Sequence, residues 1–141
     1  MLKGVPKNVS PELLKVLCQM GHGDEIVIAD ANFPAENYGQ RVVRADGLGG
    51  VEILKSVLTL IPFDTYAEEN MMFMNLSGGD TQIPPIWAEY EAVANEIDKN
   101  YKIAKLERFA FYERAKNAFA VIATGEEAIY ANIIIKKGVI K

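Results

Sequence analysis

Six short segments of the chain have the apolar composition of β-strands. Continuous apolar runs of this length are typical of strands that are covered on both faces. The four clearest are Ile26–Ala29, Met71–Met74, Ala120–Thr124 and Ile133–Lys136, and the two weaker candidates are Arg41–Arg44 and Lys105–Arg108. The methionines of the second run are expected to be core residues.

Four helices are predicted between these strands. In the first, Ser10 can cap the free N–H groups, Pro11 suits the first helical position, and Gly21 ends the segment. The others cover Val51–Leu60, Pro84-Pro85 to about Lys99, and Phe111–Ala118. Strands that alternate with helices indicate a parallel or mixed sheet with helices on both faces. We therefore predict an α/β fold, a mainly parallel sheet flanked by helices.

Composition limits the class of protein. The chain has 141 residues, of which 50% are hydrophobic, so we predict one domain over residues 1–141 with a core of its own. A net charge of −4 gives no general attraction to nucleic acid or to an anionic membrane surface. No apolar stretch is long enough for a membrane span, and residues 1–9 lack the apolar region of a signal peptide. These features favour a cytoplasmic protein.

Cysteine and histidine usage excludes several chemistries. The single cysteine, Cys18, cannot form an internal disulfide and is expected to pack in the core. One histidine and one cysteine cannot supply a usual zinc site. The glycines of residues 47–50 match a dinucleotide-binding fingerprint only weakly, because the first predicted strand does not lead directly into them as that fingerprint requires. We expect neither a metal nor a redox cofactor.

The single histidine, His22, lies between Gly21 and Gly23, on a bend where the backbone can approach a ligand closely. Ligands of open α/β sheets bind beyond the carboxyl ends of the strands. Charged residues follow several predicted strands there, and we expect them to converge on one mouth: Asp30, Arg44, Asp46, Arg108 and Glu126. The segment Ser77–Asp80 could form an anion-binding nest of N–H groups, but without a following lysine and helix it is expected to be a plain turn. The residues alone therefore predict a small-molecule site with acid/base chemistry, or a structural histidine.

Four segments carry a resemblance to a known family. They are SPELLKVLCQMGHGDEIVIADANFP, RVVRADGL, RFAFYERAKNAFAVIATGE and YANIIIKKGV, and they extend from Ser10 to Val139. Together they resemble the L-fucose mutarotase and D-ribose pyranase family. RADGL and RFAFYERA are similar to segments of its fucose branch.

The resemblance implies an isomerase that needs no cofactor. It would interconvert the α and β anomers of L-fucose by acid/base-catalysed ring opening and closure. It also implies a ring-like homo-oligomer, commonly a decamer, whose sites are shared between neighbouring subunits. Matched by motif, His22 would be the proton donor, and the sugar would be bound by Asp30, Arg108, Tyr130, Ala131 and Asn132.

Two positions depart from the fucose branch. Ala131 stands where many fucose mutarotases carry glycine, and Asn32 stands where some carry histidine. A D-ribose pyranase-type interconversion of pyranose and furanose forms therefore remains an alternative. A sugar-binding protein without turnover is the second alternative, because it would need nearly the same residues.

Overall fold

The structure, a computed structural model, describes residues 1–141 as one α/β unit. Its helices are α1 (Pro11–Gln19), α2 (Ala35–Tyr38), α3 (Gly50–Leu60), α4 (Pro85–Ile97) and α5 (Arg108–Asn117). Its strands are β1 (Glu25–Ala29), β2 (Val42–Ala45), β3 (Met71–Met74), β4 (Ile103–Leu106), β5 (Ala120–Thr124) and β6 (Ile133–Lys136). None of the helices has the length and apolar content of a membrane span.

All six strands form one mixed sheet in the order β2-β5-β1-β6-β3-β4. Strand β6 runs antiparallel to both of its neighbours, β1 and β3, and the other pairs are parallel. No helix separates β5 from β6, so β6 starts at the edge where β5 ended and must run back across the sheet. The expectation of a mainly parallel sheet therefore holds for three of the five strand pairs.

Two apolar layers cover the two faces of the sheet. The larger layer joins α1, α3 and α4 to one face, and the smaller joins α2 and α5 to the other. Strand β1 serves both layers, because Ile26 and Ile28 point into the first while Val27 and Ala29 point into the second. Burial on both faces explains why the apolar runs of β1, β5 and β6 are continuous.

Three sequence-based expectations need correction. Strand β4 begins and ends two residues earlier than predicted, and Arg108 starts α5 instead of ending a strand. The cause is a helix cap, since the Glu107 carboxylate accepts hydrogen bonds from the N–H groups of Phe109 and Ala110. The four-residue helix α2 was not predicted. Cys18 is exposed, not packed in the core.

Candidate functional site

A pocket opens at the edge of the sheet where β1, β3 and β4 end. Because β6 is antiparallel, the residues that precede it lie at this same edge. The pocket has a volume of about 380 Å³, within the usual range for small-molecule sites. It is lined by Asp30, Asn32, Phe33, Met74, Ser77, Asp80, Arg108, Tyr112, Ile129, Tyr130 and Asn132.

Asp30 and Asn132 form the floor of this pocket. The Asn132 side chain accepts from the Asp30 N–H at 2.7 Å and donates to the Asp30 carboxylate at 3.0 Å. The other carboxylate oxygen accepts from the Asn32 N–H at 3.0 Å. Burial raises the pKa of Asp30, and these hydrogen bonds only partly oppose the shift. Asp30 is thus a buried carboxylate fixed on both oxygens.

Tyr130 lies against the pocket in an unusual backbone conformation. Its φ of 56° lies in the left-handed region, which is a strained conformation for a bulky residue. Two buried side chains hold the segment, because the Trp87 indole donates to the Tyr130 carbonyl at 2.8 Å and the Tyr90 hydroxyl donates to the Ala131 carbonyl at 2.9 Å. Ala131 itself is fully buried, so it shapes the pocket through its backbone only.

The Tyr130 hydroxyl is fully occupied by the Ser77–Asp80 turn. It accepts from the Ser77 N–H at 3.2 Å, and it lies 3.1 Å from the Ser77 carbonyl and 2.5 Å from an Asp80 carboxylate oxygen. Gly78 and Gly79 both have positive φ, which lets the turn fold tightly over the phenol. The segment expected to be a plain turn therefore supplies part of the pocket wall.

Arg108 and Tyr112 line the opposite side, on the first two turns of α5. The Arg108 Nε donates to the Tyr112 hydroxyl at 3.3 Å, and the guanidinium is exposed and forms no ion pair. Most of its N–H groups are therefore available to a ligand. The hydroxyl proton of Tyr112 has no partner within the chain, so it can be donated into the pocket.

His22 lies away from this pocket. It precedes β1, whereas Asp30 follows it, and the five residues of β1 span roughly 16 Å. The His22 Nε2 lies 3.0 Å from the buried Asp64 carboxylate, and the imidazole lies beside the Tyr66 ring with 48% of its side chain exposed. Burial works to raise the pKa of Asp64, but hydrogen bonds from His22 and the Tyr66 N–H outweigh it and lower that pKa.

The expectation that the charged residues after the strands and His22 converge on one site is therefore only partly correct. The structure brings Asp30 and Arg108 together with Tyr130 and Asn132, but it leaves out His22 and three other charged residues. Arg44 pairs with Asp46 and Glu36 on the surface. Glu126 accepts from the N–H groups of Gly50 and Ala128, so it caps α3 and does not face the pocket.

Sequence reasoning missed Asp64, Asp80 and Tyr112. Asp64 approaches His22 from 42 residues away, and no local signal marks it. Tyr112 lies inside the RFAFYERA segment, four residues after Arg108, a spacing that places both on one helix face. Asp80 could have been suspected only from the two glycines that precede it.

A second polar cleft lies at the opposite edge of the sheet, near the start of β1. Its central charges are paired, because Arg114 binds Glu25 and Glu69 at 2.8 and 2.6 Å. Nowhere in the chain do three or more His, Cys, Asp or Glu side chains gather as metal ligands would. The pocket at Asp30 is thus the better candidate for small-molecule chemistry.

Comparisons with known proteins agree on one group of relatives. A profile of the RbsD / FucU transport protein family matches residues 3–140. The fucose mutarotase of Homo sapiens is 52% identical, with 99% of this chain and 94% of that protein aligned. The L-fucose mutarotase of Actinobacillus pleuropneumoniae serotype 5b (strain L20) is 49% identical, with 99% and 97% aligned.

A solved structure shows the same similarity in three dimensions. The crystal structure of the fucose mutarotase from Streptococcus pneumoniae, in complex with L-fucose, has a TM-score of 0.94 to this chain. The two sequences are 48% identical, and the alignment covers 99% of this chain and 100% of the other.

Proposed function

This chain belongs to the RbsD / FucU transport protein family, and we propose that it is an L-fucose mutarotase, an isomerase that interconverts the α and β anomers of the sugar. The observation that carries the proposal is that this chain aligns over nearly its full length, at about 50% sequence identity, with proteins named fucose mutarotase. One such protein was solved with L-fucose bound. The pocket at Asp30 offers the polar groups and the volume that a monosaccharide needs.

The reaction moves only protons. The anomeric hydroxyl gives up its proton while the ring oxygen gains one, so the bond between the ring oxygen and C1 breaks and an open-chain aldehyde forms. Rotation about C1–C2 and closure on the other face of the aldehyde, with the protons returned, give the other anomer. Two positioned groups are enough for both transfers, and no cofactor takes part.

We assign sugar binding to Arg108, Asp30 and the Tyr130–Asn132 segment. The unpaired guanidinium of Arg108 is a planar set of donors that matches adjacent sugar oxygens. Asp30 presents a carboxylate to sugar hydroxyls, and Asn132 holds it in place at 3.0 Å. The strained backbone at Tyr130 supports this assignment, because such strain is concentrated at functional sites.

We assign proton transfer to His22 and Tyr112. With Asp64 bound to its Nε2, the His22 imidazole offers Nδ1 for exchange with the sugar. Tyr112 is favoured over Tyr130 for the second proton, since the Tyr130 hydroxyl is engaged by Ser77 and Asp80. The Tyr112 hydroxyl accepts from Arg108 and keeps its own proton free.

His22 reaches the sugar from a neighbouring subunit in this proposal. Within one chain it lies at the other edge of the sheet, so the pocket needs a second copy to be complete. The exposed side chains of Ile129 and Phe109 beside the pocket support a subunit interface there, at 68% and 65% exposure. The ring-like decamer and the cytoplasmic location remain predictions.

Exchange NMR on L-fucose tests the function. Saturating the anomeric proton of one anomer should weaken the signal of the other in proportion to enzyme added, well above the uncatalysed exchange. Parallel measurements on D-ribose report pyranose–furanose exchange and test the pyranase alternative. Binding of L-fucose without faster exchange would instead identify a sugar-binding protein without turnover.

A further inference from the structure

Residues 77–83, between β3 and α4, form hydrogen bonds with only one side chain outside their own loop. Every hydrogen bond that these residues make beyond their own loop goes to the Tyr130 hydroxyl. Asp80 contributes one of them through a single carboxylate oxygen, Oδ2, at 2.5 Å. This contact fixes the direction of the Asp80 carboxylate at the pocket wall.

The two carboxylates that line the pocket differ in what they can still accept. Both oxygens of Asp30 already accept hydrogen bonds within the chain, and that residue is only 8% exposed. Asp80 is exposed, and its Oδ1 has no hydrogen-bond or ion-pair partner. Asp80 therefore has the larger free acceptor capacity of the two.

We propose that Asp80 is a further substrate-binding residue, whose free Oδ1 accepts a hydrogen bond from a hydroxyl of L-fucose while Oδ2 stays on Tyr130. The inference rests on the proposed function, because it assumes that the sugar occupies this pocket. A hydrogen bond to a carboxylate is stronger than one between neutral groups. Arg108 on the facing wall and Asp80 would then hold the sugar from two sides as donor and acceptor.

The test measures the dissociation constant for L-fucose and the kcat and KM of anomer exchange in Asp80→Ala and Asp80→Asn. We expect the dissociation constant to rise by about ten-fold in Asp80→Ala, with a smaller rise in Asp80→Asn, whose amide oxygen can still accept. KM should follow the dissociation constant, while kcat changes less. Glu127→Gln is the matched control, because it removes an exposed negative charge nearby that does not line the pocket.

Tyr130→Phe distinguishes a direct contact between Asp80 and the sugar from an effect that Asp80 exerts on binding through Tyr130. This variant removes the hydroxyl that holds Asp80 Oδ2 but keeps the Asp80 carboxylate. If Asp80 contacts the sugar, adding Asp80→Ala to Tyr130→Phe should weaken binding further, by about five-fold or more. An unchanged affinity on adding Asp80→Ala would overturn the inference, and so would wild-type affinity in Asp80→Ala itself. If wild-type protein neither binds L-fucose nor accelerates exchange, the proposed function fails instead.

Discussion

Removing the hydroxyl of Tyr90 tests how the fold holds the Tyr130–Asn132 segment against the pocket. Tyr90 is fully buried, and its hydroxyl donates at 2.9 Å to the carbonyl of Ala131, which is also fully buried. Burial raises the pKa of Tyr90, so the hydroxyl keeps its proton. Tyr90→Phe leaves that carbonyl without a partner, and we expect a loss of about 1–3 kcal/mol in the free energy of unfolding.

A substitution at Gly50 tests the position of the Tyr90 hydroxyl in a second way, because the direction of its effect on stability can be predicted. A Cβ at Gly50 would overlap the Tyr90 hydroxyl, whereas the ring carbon behind that hydroxyl would be 3.1 Å away. Gly50→Ala should therefore cost about 1–3 kcal/mol in the wild type, through overpacking. In the Tyr90→Phe background the overlapping atom is gone, so the double variant should be more stable than the sum predicts, by about 1–2 kcal/mol.

Urea unfolding followed by circular dichroism measures all four proteins, at one protomer concentration because association adds to apparent stability. Tyr101→Phe is the control, since it removes a tyrosine hydroxyl that contacts only Glu91 at the surface, and it should change stability by less than about 0.5 kcal/mol. Additive losses in the double variant, or a Tyr90→Phe protein as stable as wild type, would refute the reasoning.

Three further predictions concern individual side chains. His22→Ala should fold normally, as its circular dichroism will show, yet lose about 10²–10⁴-fold in exchange rate, and near-normal exchange would exclude His22 from the proton transfer. Arg108→Lys should raise the dissociation constant for L-fucose in titrations, because a point charge cannot replace a planar set of donors; unchanged affinity would remove Arg108 from the site. Asp64→Asn should be less stable than wild type near neutral pH. Because the folded-state pKa of Asp64 lies below its ordinary 3.8, this difference should shrink in urea titrations as the pH falls below that value, and a constant difference would contradict it.

The buried strands could be predicted from the sequence because their surroundings are uniform. The runs at β3, β5 and β6 match the observed strands, since burial on both faces selects apolar residues at every position. Strand β4 lies at the edge of the sheet and alternates between exposed and partly exposed residues, so its bounds were misplaced. The antiparallel direction of β6 was not predicted, although the short segment between β5 and β6, with no helix, leaves no room for a parallel crossover.

The pocket could be predicted only where its residues follow a strand or lie in a motif. Asp30 directly follows β1, and Tyr130 and Asn132 were implied by family resemblance, so these were found. The partners of these residues come from distant parts of the chain, as Asp80 does for Tyr130 across 50 residues and Trp87 across 43. Such contacts depend on the sheet order, and a single sequence does not reveal that order.

Subunit complementation tests the central claim most directly, namely that a pocket at Asp30 is completed by His22 of another copy. His22→Ala and Asn132→Ala subunits are unfolded together, refolded as mixed oligomers, and assayed for L-fucose exchange beside each parent. If the subunits mix at random and each site takes His22 and Asn132 from different chains, about a quarter of wild-type activity should return. Arg108→Ala replaces Asn132→Ala if that parent does not fold, because Arg108 is exposed. Mixed oligomers of verified composition that stay as inactive as their parents would contradict the shared site.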